Sequence, residues 1–135
     1  MDVHSFTLTI DGEVDNPVTL RYDDVLELPA VERTVRICAG GTYANTVMKG
    51  VAIARLFDLA QVRGAACLAV FHYDDGHRET VPLVELLQQE AFLAYAASGE
   101  DVDELGCLLR LAVPGKYGHK WAKWVRRVHL IADER

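Results

Sequence analysis

The chain has 135 residues, half of them hydrophobic and a quarter charged. That balance suits one globular domain over residues 1–135 with a single core, and excludes wholesale disorder. Fourteen Lys and Arg against twenty Asp and Glu give a net charge of −6, which argues against a protein that coats nucleic acid.

In chain order, Phe6 to Ile10 alternates apolar and polar residues, the period of a half-buried strand, and Asp11-Gly12 predicts a tight turn. An extended stretch from Val14 to Tyr22 follows, with a turn signal at Asn16-Pro17. Asp23 or Asp24 is placed to cap a short helix over Val25 to Leu28 that Pro29 stops. Thr34 to Cys38 reads as a strand running into Gly40-Gly41. After Gly50 a helix of about a dozen residues is expected, with Ile53, Leu56, Phe57 and Ala60 on one face.

Cys67 to Tyr73 and Arg78 to Val81 predict a hairpin about Asp75-Gly76, and Pro82 suits the start of a helix through Leu83, Leu86 and Leu87. Phe92 to Ala96 fits strand and helix equally well. Ser98 to Glu104 reads as an acidic loop, while Leu109 to Val113 and Trp124 to Ile131 read as strands. Strands outnumber helices without strict βαβ alternation, so an α+β fold is expected.

Three scattered cysteines form no Cys-x-x-Cys pair, so neither a disulfide scaffold nor a local zinc site is signalled. Cys67 and Cys107 sit among apolar residues and read as small buried side chains. Cys38 stands apart, preceded by Arg33 and Arg36 and followed by glycines. The charge is also uneven. Gly115 to Ile131 holds Lys116, Lys120, Lys123, Arg126 and Arg127 with no carboxylate, leaving nine basic residues against all twenty acidic ones elsewhere, a balance of −11. Such a segment, with His119 and His129 inside it, has the composition of an anion site. Trp121 and Trp124, interleaved with the lysines, read as core residues at the edge of the last strand rather than as base-stacking platforms.

Three stretches together resemble the molybdopterin-binding domain of the sulfite oxidase family. They are Phe6 to Pro29, Ile37 to Gly40 with the helix after Gly50-Val51, and Leu109 to Gly118 with Lys123-Trp124-Val125. The likeness spans essentially the whole chain in order, and it implies a sulfite-oxidase-type fold of mixed sheets and short helices. It implies Cys38, on a loop after its strand, as the thiolate ligand of molybdenum, a soft donor suited to that metal. Positive charge from Arg33 and Arg36 would favour the thiolate. It implies that Gly115, Lys116, Gly118, His119, Lys120 and Lys123 face that loop and bind the phosphorylated pterin, and that Arg110 anchors a small anionic substrate.

The expected activity is molybdopterin-dependent oxidation of a small oxyanion or transfer of an oxo group. No haem-attachment motif occurs, so electrons would leave through a separate protein. Met48 replaces a tryptophan of the family, and Leu105 to Leu108 replaces a His-Gly-x-Pro stretch; the Arg-Asn-His segment upstream and the C-terminal dimerisation domain of sulfite oxidases find no counterpart in these residues. Two other readings stand beside this one. The first is a cofactor-free relative that binds anions or proteins. The second is a metal-dependent hydrolase using His72, Asp74, Asp75 and His77, residues that also suit a plain hairpin turn. With no basic, apolar leader at Met1 to His4 and no apolar run near the ~18 residues of a membrane helix, a cytoplasmic protein without a membrane span is expected.

Overall fold

The structure, a computed structural model, describes residues 6–39, 42–73, 76–99, 103–112 and 125–132; at 35–39, 42–46, 96–99, 103–108 and 110 it describes the backbone alone. The elements in chain order are β1 (Thr7–Gly12), β2 (Val18–Arg21), α1 (Tyr22–Glu27), β3 (Val31–Ala39), β4 (Thr42–Ala52) and α2 (Ile53–Ala60). They continue as β5 (Ala66–Tyr73), β6 (Arg78–Pro82), α3 (Leu83–Gln88), β7 (Phe92–Gly99), β8 (Asp103–Ala112) and β9 (Val125–Ala132). Two sheets result, a mixed one in the order β2-β1-β9-β5-β6 and an antiparallel one in the order β3-β4-β7-β8. The α+β expectation holds.

The first sheet buries the alternate residues that its sequence pattern marks. Leu8 and Ile10 of β1, Ala69 and Phe71 of β5, and Val128 and Leu130 of β9 all reach the core. The four apolar positions of α2 are all buried there too, though the helix has eight residues because Gly50 to Ala52 still belong to β4. Leu93 and Leu109 bring the second sheet into the same cluster.

Strand β7 is buried on both sides. Leu93 and Tyr95 join the main core, while Phe92 and Ala94 are equally inaccessible but lie outside it, with Met48 and Ala112. That double burial explains why Phe92 to Ala96 carries no period of its own.

Local departures from expectation have local causes. Asp11-Gly12 makes no two-residue hairpin; β1 leaves β2 after Ile10 and carries on along β9, pairing Asp11 with His129 and Gly12 with Leu130 in parallel. The helix α1 is capped from inside, since the Arg21 N–H donates to the Asp24 carboxylate at 2.9 Å, with Arg21 at the N-cap. Strand β4 has no forecast at all, and β7 and β8 extend into the stretch read as an acidic loop. Cys67, expected to be buried, is exposed on β5: it counts in phase with Ala69 and Phe71, but the pairing with β9 slips between Ala66 and Leu68, and the irregularity frees it from their face.

Candidate cofactor site

Cys38 lies within a ladder rather than on a loop. Nine consecutive pairs join β3 and β4, from Val31 with Gly50 to Ala39 with Thr42, and Cys38 pairs with Tyr43 in the last rung but one. Arg36 pairs with Asn45 two positions back, so strand alternation puts Arg36 and Cys38 in the same phase. Arg33 is in the other phase and five residues away, about 17 Å along a strand at ~3.3 Å per residue. Its guanidinium is engaged elsewhere, 3.1 Å from Glu90, beside a 110 Å³ pocket with an alanine and leucine floor. Of the two arginines expected to favour the thiolate, register therefore supports Arg36.

Arg110 stands on β8 opposite Ala94, which pairs with Gly50, which pairs with Val31. Cys38 is seven residues further along β3, about 23 Å at ~3.3 Å per residue. The described backbone does not bring Cys38 and Arg110 together. Met48, at the position where the resemblance implies tryptophan, is fully buried on β4 opposite Arg33. Gly115, Lys116, Gly118, His119, Lys120 and Lys123, with Trp121 and Trp124, lie outside the described residues.

The end of the basic segment is described, and there the cations have acquired a partner that sequence reasoning missed. Arg127 Nε sits 3.1 Å from both oxygens of Asp11, and its Nη2 lies 2.9 Å from Oδ2. His129 Nδ1 lies 2.8 Å from Asp11 Oδ1, which places the proton on Nδ1 when it donates to the carboxylate. Burial is the largest single influence on Asp11 and pushes its carboxyl up; the hydrogen bonds and charges of Arg127 and His129 together outweigh it and hold the group below its ordinary value. No local motif announces this triad, because Asp11 is more than a hundred residues from Arg127 and His129 and meets them only through the parallel β1–β9 pair.

A carboxyl held low in the folded state stabilises the protein above its unfolded pKa, and that contribution disappears as pH falls through the folded value. Asp11→Asn should therefore cost about 1–2 kcal/mol at neutral pH. The deficit should shrink below about pH 4, and urea unfolding at neutral and acid pH measures both.

His72 is half-buried on β5 and His77 exposed after the β5–β6 turn, while Asp74 and Asp75 lie outside the described residues. No group of three or more metal-binding side chains forms among the described residues. Cys107 is on β8.

The mixed sheet, the antiparallel sheet and the ordered run of motifs define one class. The chain belongs to the oxidoreductase molybdopterin binding domain family, which it matches over residues 1–135. It is 31% identical over 135 residues to the uncharacterized oxidoreductase YuiH of Bacillus subtilis (strain 168), covering 98% of this chain and 68% of that protein. It is 24% identical to the sulfite oxidase of Arabidopsis thaliana, with 98% of this chain and 43% of that one covered. It is 28% identical to the protein-methionine-sulfoxide reductase catalytic subunit MsrP of Campylobacter jejuni, where the coverage is 98% and 51%. Among solved structures, the sulfane dehydrogenase SoxCD of Paracoccus pantotrophus superposes with a TM-score of 0.83 at 24% identity, covering 98% of this chain and 40% of that one. The chain thus spans about two thirds of YuiH and roughly 40–51% of the other three.

Proposed function

We propose that this domain binds molybdopterin with molybdenum and catalyses oxidation of a small oxyanion, or oxo transfer to or from a small substrate. The observation that carries the reading is the family match over the whole chain; the resemblance of its motifs makes Cys38 the metal ligand we assign. The donor chemistry fits: a thiolate is a soft ligand appropriate to this metal. Arg36, in phase with Cys38 two residues away on β3, is the cation we assign to favour its thiolate and to meet an anionic substrate. Lys116, His119, Lys120 and Lys123 would hold the cofactor's phosphate, with backbone donors from Gly115 and Gly118. The bound cofactor supplies the oxo-transfer and electron chemistry.

Register weighs against Arg110 as a partner of Cys38 on one small anion, so we assign substrate anchoring first to Arg36. Steady-state kinetics of Arg36→Gln and Arg110→Gln separate the two: loss of an anchor raises KM for an anionic substrate about tenfold or more, and the other variant leaves KM near wild type. A separate electron-transfer protein completes the cycle. No helix among the described residues is long and apolar enough to cross a membrane, and we place the protein in the cytoplasm.

Expression in a host that makes the cofactor, followed by elemental analysis for molybdenum and pterin, tests the reading. Near-stoichiometric molybdenum is expected. A folded, stable protein without molybdenum would instead favour the reading as a cofactor-free relative. Lys123→Ala should weaken cofactor retention about tenfold, more so in high salt because partly exposed charge pairs are screened; dialysis against rising salt with molybdenum assay reads this directly.

A further inference from the structure

The mixed sheet turns one face to the core and the other outward, and the outward face carries an unusual row. Register aligns Thr9 with Arg127, Arg127 with His72, and His72 with Arg78, across β1, β9, β5 and β6. Directly opposed residues share a face with Cβ atoms about 5 Å apart, and like charges so placed repel. Three basic side chains therefore stand side by side in a chain whose net charge is −6.

Asp11 does little for this row beyond Arg127. It already serves Arg127 and His129. Its strand lies two places from β5 and three from β6, about 10 and 14 Å away at ~4.8 Å per strand, beyond the ~8 Å screening length of physiological salt. Among the described residues His72 and Arg78 have no ion-pair partner. Burial, and then the charges of Arg127, Arg78, His129 and Arg126, lower the pKa of His72. Among the described residues the charged groups that act on it are Arg126, Arg127 and His129 from β9 and Arg78 from β6.

We propose that Arg127, His72 and Arg78 form a binding site for a tetrahedral oxyanion, a sulfate or a phosphate group, on the outer face of the mixed sheet. The two arginines stand on strands about 10 Å apart: Arg78 extends over His72, while Arg127, whose Nε and Nη2 are held by Asp11, has its remaining Nη1 donors to offer to the same anion. A dianion there compensates Arg78 and adds charge-assisted hydrogen bonds from the Arg78 guanidinium and from the Nη1 that Asp11 leaves unused on Arg127. It also favours protonation of His72, which then contributes a third charged donor, so binding tightens as pH falls through the His72 pKa. The site is on a different sheet from Cys38, and it stands whether or not the domain carries a cofactor.

The test is an NMR titration of the histidine Cε1–H resonances between about pH 5 and 8, in sodium sulfate and in sodium chloride at equal ionic strength. His72→Gln assigns the resonance by removing it. The His72 pKa should rise by about half a unit or more in sulfate, and Arg78→Gln on the exposed edge strand should remove most of that rise. Glycerol phosphate provides a third arm. An effect at least equal to sulfate assigns the site to a phosphate group carried on a larger molecule; a sulfate effect alone assigns a free inorganic anion. Coincident titration curves in sulfate and chloride would overturn the proposal, as would a sulfate response that Arg78→Gln leaves intact.

Discussion

Cys38→Ser is expected to lose molybdenum and activity together while keeping its fold. A serine oxygen is a hard donor with a far higher pKa than a thiol, so at neutral pH it offers neither the charge nor the softness that the metal selects. Activity should drop about a hundredfold or more, the loss that follows when a metal's coordination is disturbed. The fold should not follow. Cys38 sits in the last rung but one of the β3–β4 ladder, and exchange of sulfur for oxygen leaves every backbone hydrogen bond in place, so unfolding of the metal-free proteins should agree within about 1 kcal/mol. Molybdenum analysis beside a denaturation curve separates the outcomes. Wild-type metal content in the variant would remove Cys38 from the site.

Gly50→Ala is expected to do the reverse and damage the fold. A Cβ at Gly50 would fall 2.0 Å from the Leu93 carbonyl oxygen and 2.7 Å from Ala94 Cα. Both obstacles are backbone in the buried β7 strand, so no side-chain rotation relieves them. Register also shifts between Lys49 and Gly50, where β7 carries one residue more than β4, and close approach at such a bulge is a usual reason for glycine. Overpacking here should cost about 3 kcal/mol or more and lower Tm by roughly 10 °C. Gly64→Ala is the matched control, since nothing lies within 4 Å of a Cβ there. Equal melting temperatures for the two variants would show that the sheet yields at this point.

What the sequence made legible follows from where each residue is solvated. β1, β5 and β9 have one wet face and one dry one, and their alternation is plain in Leu8 and Ile10, in Ala69 and Phe71, and in Val128 and Leu130. The four buried residues of α2 were equally plain. β7 was not, because burial on both sides erases the period. Strand β4 was hidden by its own composition: Thr42 to Lys49 mixes Asn45, Met48 and Lys49 with short side chains, and its pairing is set by β3 and β7 rather than by local propensity. At the candidate site, motif order pointed to Cys38, whereas its ladder position and its separation from Arg110 depend on register, which spacing along the chain does not encode. The Asp11 triad depends on a contact between strands at opposite ends of the sequence, which has no local signature either.

That same parallel contact has a consequence for how the domain assembles. β9 lies third of five strands in its sheet, between β1 and β5, yet it is the last of the described elements in chain order. The β1–β2 and β5–β6 pairs can close early through short loops, but the sheet stays in two halves until β9 is available to join them. Each half then waits with an open edge and an apolar face, the condition in which strands pair with the wrong neighbour. Closing a contact between residues 11 and 129 late and at high contact order makes for slow folding. The β9 segment thus acts as a keystone: during synthesis the domain gains its cooperative stability only when its final strand is released.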